Sequence, residues 1–108
     1  MTTAEDGLEI VDVPEQSRFV ARLGSVGADA ELVYANEGDR LVLVHTEVPD
    51  HLSGHGIGGR LVAAAVARAR AEGSTLVPWC PFARRWLREH GDSVDGVPVD
   101  WETPPPSR

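Results

Sequence analysis

Apolar and polar residues alternate along the first half of the chain, and from about residue 57 the apolar ones recur every three or four positions. The alternating half reads as strands. Leu8 to Val13 is the first and Ser17 to Leu23 the second, with Phe19, Ala21 and Leu23 set against Arg18, Val20 and Arg22. Gly24 to Gly27 is a turn. Ala28 to Ala35 forms a third strand, carrying Ala30, Leu32 and Tyr34 on one face and Asp29 and Glu31 on the other. Asn36-Glu37-Gly38-Asp39 is a hairpin-type loop, and the strand Arg40 to Val48 ends at Pro49. Such short connections imply antiparallel neighbours.

In the second half, Ile57, Leu61, Val62, Ala65, Val66 and Ala69 mark one helix, stopped at Glu72-Gly73. Thr75 to Pro78 is a short strand. Pro81 suits the first turn of a second helix whose apolar side is Phe82, Trp86 and Leu87. The order of elements predicts an α+β domain over residues 1–94, followed by a proline-rich tail over 95–108. Trp101 is the tail's large anchor, and residues 103–108 are expected to be disordered. There is no internal repeat.

Composition narrows the class. A chain of 108 residues, 42% hydrophobic and 25% charged, suits one globular core. No apolar run approaches the roughly 20 residues of a membrane span, and the acidic start MTTAEDGLEIVD lacks the apolar stretch of a signal peptide. The single cysteine, Cys80, allows no internal disulfide, so a reducing, cytoplasmic setting is expected. A net charge of −7 argues against a nucleic-acid partner. Residues 51–90 nevertheless hold six arginines against two acids, an island that favours a small polyanion unless the arginines merely decorate two solvated helix faces.

Gly54-His55-Gly56-Ile57-Gly58-Gly59 lies inside that island, between the fourth strand and the first helix. Glycines let backbone N–H groups turn to an anion, and a helix N-terminus adds partial positive charge. The stretch fits Gly-x-Gly-x-x-Gly, but a dinucleotide fingerprint should close the first strand of a parallel unit and find an acid about 20 residues on. Four apparent antiparallel strands come first here, and Val77-Pro78-Trp79-Cys80 holds no acid. No Walker lysine follows either. A phosphate cradle and a ligand-free tight turn are the two readings left.

His45 and Glu47, two apart on one strand, are expected to share a face with Leu41 and Leu43. Polar groups ending an apolar face suggest a proton-handling pair, against the plainer reading of a strand emerging into solvent. Cys80, just before Pro81 at a helix start, is either a chemical thiol or a small buried hydrophobe. His55 is expected to add positive charge. One cysteine and four scattered histidines give no metal spacing.

These residues resemble the GNAT superfamily of N-acetyltransferases. Ser53-Gly54-His55-Gly56-Ile57-Gly58 is similar to its Gln/Arg-x-x-Gly-x-Gly/Ala signature, with serine at the first position. His45-Thr46-Glu47-Val48 and Cys80-Pro81-Phe82 resemble a small branch of about 100-residue members, over roughly residues 8–90. The resemblance implies a mainly antiparallel twisted sheet flanked by helices, with acetyl-CoA as cosubstrate and an amine as acceptor. Its pyrophosphate would rest on backbone N–H groups of residues 55–60, making Gly54, His55, Gly56, Ile57, Gly58, Gly59 and Arg60 the binding set. Pantetheine would pair with the backbone near Thr46 to Val48, and Phe82 would join the cofactor site. His45, Glu47 and Cys80 become the catalytic candidates of a monomer or weak homodimer. The branch's His-Pro-Glu-Tyr after its second helix is His90-Gly91-Asp92-Ser93 here, so its tyrosine is missing. A non-catalytic acyl-CoA binding or sensing module is the main alternative, and an interaction domain on the same scaffold a third.

Overall fold

Four strands succeed one another as antiparallel neighbours, as their short connections require. They are β1 (Leu8–Val13), β2 (Arg18–Leu23), β3 (Ala28–Glu37) and β4 (Arg40–Glu47). The computed structural model describes residues 8–23, 28–50 and 56–105. β5 (Thr75–Pro78) lies beside β4, completing a five-stranded sheet in chain order. It runs parallel to β4, with Arg40 opposite Thr75 and Leu43 opposite Pro78. Parallel neighbours need a crossover, and α1 (Ile57–Glu72) supplies it. After β5 comes α2 (Pro81–Glu89), giving the expected α+β architecture.

Element ends move slightly from expectation, for local reasons. Ser17 sits at φ 56° closing a 3-10 turn over Pro14–Gln16, so β2 starts at Arg18. The β3–β4 hairpin is tighter than a four-residue loop: Glu37 pairs with Arg40, leaving Gly38-Asp39 as the turn, with Gly38 at φ 65°. One sheet face then meets both helices. Phe19, Leu32, Leu41 and Leu43 pack with Leu61, Val62 and Ala65 of α1 and with Ala83 and Leu87 of α2. Each large side chain buried this way contributes about 1.5–3 kcal/mol.

A β-bulge in β4 overturns one expectation. Val33 pairs with His45 and Tyr34 with Leu43, so Val44 has no partner on β3. An extra residue reverses the in–out alternation beyond it. Leu41 and Leu43 face the helices, and so does Thr46. His45 and Glu47 therefore lie on the opposite face, with Val33 and Glu31, and do not share one with Leu41 and Leu43.

The tail is docked. Pro98 O accepts from Leu76 N–H at 3.0 Å, Asp100 N–H donates to Leu76 O at 2.8 Å, and Val99 forms a parallel bridge with Leu76. This short pairing covers the outer edge of β5, which would otherwise offer a bare row of amides. Asp100 is held by the Thr103 hydroxyl, by Arg40 and by two backbone N–H groups, which keep its carboxyl far below the usual range. Thr103 is thus fixed, whereas residues 106–108 lie outside the described residues. Among the described residues, no helix is long and apolar enough to cross a membrane.

On the helix-facing side, near the β1 edge, the Tyr34 hydroxyl donates to Asp12 Oδ1 at 2.6 Å, and Arg68 of α1 donates to Asp12 Oδ2 at 3.1 Å. The Arg68 guanidinium also lies over the Tyr34 ring at 4.8 Å. Burial, reinforced by the bond to Asp12, raises the Tyr34 pKa above 10.0. The folded state therefore keeps a proton that the unfolded chain releases near pH 10, and this stability is lost as pH climbs through the folded value. Denaturant titrations should show the alkaline loss of stability shrinking in Tyr34→Phe, alongside a cost of about 0.5–1.5 kcal/mol at neutral pH for the missing bond.

Candidate functional site

Where β4 and β5 part, a single carbonyl marks the branch point. Leu43 O accepts from Trp79 N–H at 3.0 Å and from Cys80 N–H at 2.9 Å. The β4–β5 ladder stops at the Leu43–Pro78 pair, while His45, Thr46 and Glu47 continue to pair with β3. From Val44 on, β4 has no ladder partner on its β5 side among the described residues. β5 meanwhile turns into α2. Crevices at the carboxyl ends of parallel strands are natural ligand sites, and this sheet has one such place.

Both helices begin beside that crevice. α1 opens at Gly56, in the left-handed region at φ 75° and ψ 13°, and no acid stands in its first turn. α2 opens with Cys80 as N-cap and Pro81 next, again with no side chain capping the free N–H groups. The two first turns touch, because the Phe82 ring lies against Gly58. Two helix starts, of helices 16 and 9 residues long and with no side-chain cap among the described residues, make this end of the molecule electropositive.

The glycines divide by cause. A Cβ at Gly58 would lie 2.8 Å from Phe82 Cζ, and one at Gly59 would lie 2.5 Å from Trp86 Nε1. These two glycines let α1 and α2 approach closely. Gly56 is different: nothing stands within 4 Å of where its Cβ would be, and its positive φ is what excludes other residues. Arg60 N–H is spent on Gly56 O at 3.1 Å, so it offers nothing to an anion, whereas the N–H groups of Ile57, Gly58 and Gly59 precede the first helical bond. The Ile57 side chain is buried in the core. Gly54 and His55 lie outside the described residues.

The catalytic candidates separate into two groups. His45 Nε2 and Glu47 Oε1 are 3.5 Å apart, and their side chains are 60% and 68% exposed on the sheet face away from the helices. Cys80 is buried on the helix side, its Sγ 3.3 Å from Thr46 Oγ1. Val48, one alternation beyond Thr46, packs against the core. The bulge thus brings Thr46 to Cys80 and takes His45 and Glu47 away from it. Sequence reasoning valued Thr46 for its backbone and missed this hydroxyl. The available signal was a phase shift: the inward apolar positions Leu41 and Leu43 are odd, whereas Val48 is even.

Most of the arginine island serves the fold. Arg68 binds Asp12 and Glu72, and Arg70 donates to the carbonyls of Ser93 and Asp95 at 3.0 and 3.1 Å. Arg84 donates to Trp101 O at 2.8 Å, and Arg84 and Arg88 both lie over the Trp101 ring. Arginine's planar fork suits such carbonyl and ring contacts. Four of the six arginines are therefore committed away from the crevice, which lowers the weight of the island as a polyanion signal. Among the described residues no cluster could hold a metal ion.

Gly59→Ala should lower the melting temperature, with an overpacking cost of about 1–3 kcal/mol. Trp86→Leu in the same chain should recover part of the loss, because the clash is with the indole. Differential scanning fluorimetry of the single and double variants checks this, and equal melting for Gly59→Ala and wild type would contradict the close approach.

A family of known proteins matches most of this chain. The model of the GCN5-related N-acetyl-transferase family matches residues 18–96. No curated protein matches the chain. Among solved structures, it is similar to the NMR solution structure of a GCN5-like protein from Staphylococcus aureus, with 27% identity and a TM-score of 0.67. That likeness covers 89% of this chain and 93% of the other. The matched span runs from β2 to just before the docked tail and contains the bulge, the crevice and both helix starts. The chain therefore belongs to the GCN5-related N-acetyltransferase family and has its fold.

Proposed function

We propose that this chain transfers the acetyl group of acetyl-CoA to an amine, as a cytoplasmic monomer or weak homodimer. The observation that carries the reading is the parting of β4 from β5 after Leu43, with two uncapped helix starts beside it. An extended pantetheine arm can pair with the open edge of β4 at Thr46 to Val48, as an added strand would. The pyrophosphate then falls to the backbone N–H groups of Gly56, Ile57, Gly58 and Gly59, joined by Gly54 and His55, with the Arg60 side chain supplying charge. Gly56 supports this fit, since its backbone is open where a Cβ would otherwise stand. Phe82, lying between the two first turns, forms the apolar wall of the same cradle.

Acetyl-CoA supplies an activated acetyl thioester. Transfer forms an N–C bond and breaks a C–S bond, with one proton leaving nitrogen and one reaching sulfur. The division of polar groups between the two sheet faces suits these two proton movements. His45 and Glu47, exposed on one face, take the proton from the incoming amine. On the other face Cys80, with Thr46 at hydrogen-bond distance, hands a proton to the departing sulfur. The tyrosine of the related branch is missing from His90-Gly91-Asp92-Ser93, at the far end of α2, so the thiol takes the proton-donating role instead.

Coenzyme A should raise the melting temperature of the wild type. At 100 times its dissociation constant the added stability is about 2.7 kcal/mol. Gly56→Val should lose that shift, since a β-branched residue resists the left-handed conformation and narrows the approach to the backbone. Its own melting curve without ligand shows whether the fold survives. No shift for the wild type with millimolar coenzyme A would contradict the proposal.

Glu47→Gln keeps size and removes the base. It should lower kcat by about 100-fold or more while leaving the coenzyme A melting shift unchanged. Wild type that binds acetyl-CoA yet acetylates no amine would favour the non-catalytic binding module instead.

A further inference from the structure

On the sheet face that carries His45 and Glu47, side chains stand in two cross-strand rows. In one, Val20 of β2 pairs with Glu31 of β3, and Glu31 with Glu47 of β4. In the other, Arg18 pairs with Val33, and Val33 with His45. Glu31 bonds Arg18, and Glu47 lies 3.5 Å from His45, so the two carboxylates lean toward the second row on either side of Val33. We propose that this face takes an aliphatic diamine as acceptor, with the reacting nitrogen at His45 and Glu47 and the second ammonium at Glu31; this rests on the acetyl-transfer reading above.

The first argument is an unfavourable contact that the fold itself does not resolve. Like charges directly opposite one another weaken a strand pair, and Glu31 stands opposite Glu47 across β3 and β4. Arg18 offsets Glu31, through Oε1. Glu47 has no arginine beside it among the described residues, and His45 is a cation only when protonated. With His45 neutral, the group of four side chains carries a net negative charge. Both carboxylates reach solvent, their side chains being 29% and 68% exposed.

A carboxylate has two oxygens, so Glu31 can keep Arg18 on one and accept from an ammonium on the other. Val33, partly exposed between the two acids, offers the surface over which a short methylene chain would lie. A monoamine would satisfy one carboxylate and leave the second. An amino acid fits less well still, because its carboxylate would meet Glu31 and Glu47 while Arg18 is engaged.

Charge along the chain points the same way. Residues 8–50, which build β1 to β4, hold nine acids against three arginines, opposite in sign to the island over 51–90. A dication is drawn to the strand side and a polyanionic cofactor to the helix starts. Pantetheine on the open edge of β4 would bring the thioester to the line where the two sheet faces meet. The reacting nitrogen then gives a proton to the His45–Glu47 pair and bonds the acetyl carbon as the C–S bond breaks. The sulfur leaves as the thiol of coenzyme A, protonated by way of Cys80.

Three acceptors of similar length, followed by release of the coenzyme A thiol, test this. They are putrescine, n-pentylamine, in which a methyl replaces the second ammonium, and γ-aminobutyrate, in which a carboxylate does. Values of kcat/KM should fall in that order, with putrescine ahead of pentylamine by about tenfold, as one charge-assisted contact provides. Glu31→Gln should bring the putrescine-to-pentylamine ratio down toward unity by raising KM for putrescine, whereas a purely structural role would lower both rates alike. Salt at about 1 M should shrink the same ratio in the wild type, a readout that needs no variant to fold. Pentylamine used as well as putrescine, or a ratio that either Glu31→Gln or salt leaves unmoved, would overturn the proposal. Pentylamine acetylated without a preference for putrescine removes the diamine alone and leaves acetyl transfer standing. Acetylation of none of the three also overturns the proposal, and the coenzyme A melting shift then tells whether cofactor binding survives.

Discussion

One carbonyl oxygen organises the functional end of the molecule. Leu43 O receives the N–H groups of both Trp79 and Cys80, and beyond it β4 and β5 no longer pair. Because the acceptor is shared, β5 is anchored at the moment it turns into α2. The same bonds fix Trp79 against the tail and Cys80 against Thr46. One residue later the bulge at Val44 reverses the alternation of β4. The crevice and the separation of candidate proton carriers between two faces both depend on these two adjacent residues.

Much of the architecture was legible because periodicity and punctuation agree in this sequence. The ends of β1, α1 and β5 follow the alternation, the Glu72-Gly73 stop and the prolines at 78 and 81. Antiparallel order followed from the short connections. The bulge was not legible from residue types, since Leu41 to Val48 holds no glycine or proline to mark it. Val48 breaks the phase of Leu41 and Leu43, yet a single apolar residue at a strand end is weak evidence. The docking of the tail was hidden for another reason. Its anchors are Pro98, Val99 and Asp100 acting on Leu76 at the edge of β5, and edge pairing between distant segments leaves no periodic trace.

Glycine and arginine each carried two meanings that only the packing separates. Gly58 and Gly59 are small because Phe82 and Trp86 press against them, and Gly56 is glycine because its backbone is left-handed. A run of glycines at a helix start therefore overstated the phosphate signal. The arginines overstated it similarly, since Arg68, Arg70, Arg84 and Arg88 tie the sheet, the C-terminal turn and Trp101 together. What is left for the proposed pyrophosphate contact is Arg60 and the backbone N–H groups at the starts of α1 and α2, which no side chain caps among the described residues. That is a smaller site than composition suggested, and a more directional one.

Amide chemical shifts followed by NMR during titration with coenzyme A test the crevice most directly. The account predicts that the largest changes fall on two segments far apart in sequence, Val44 to Val48 and Gly56 to Gly59, with smaller ones at Cys80 and Phe82. Strands β1 and β2, remote from the branch point, should barely move. Changes concentrated on those strands, or on α1 with none along β4, would contradict the claim that the parting of β4 from β5 is the binding site.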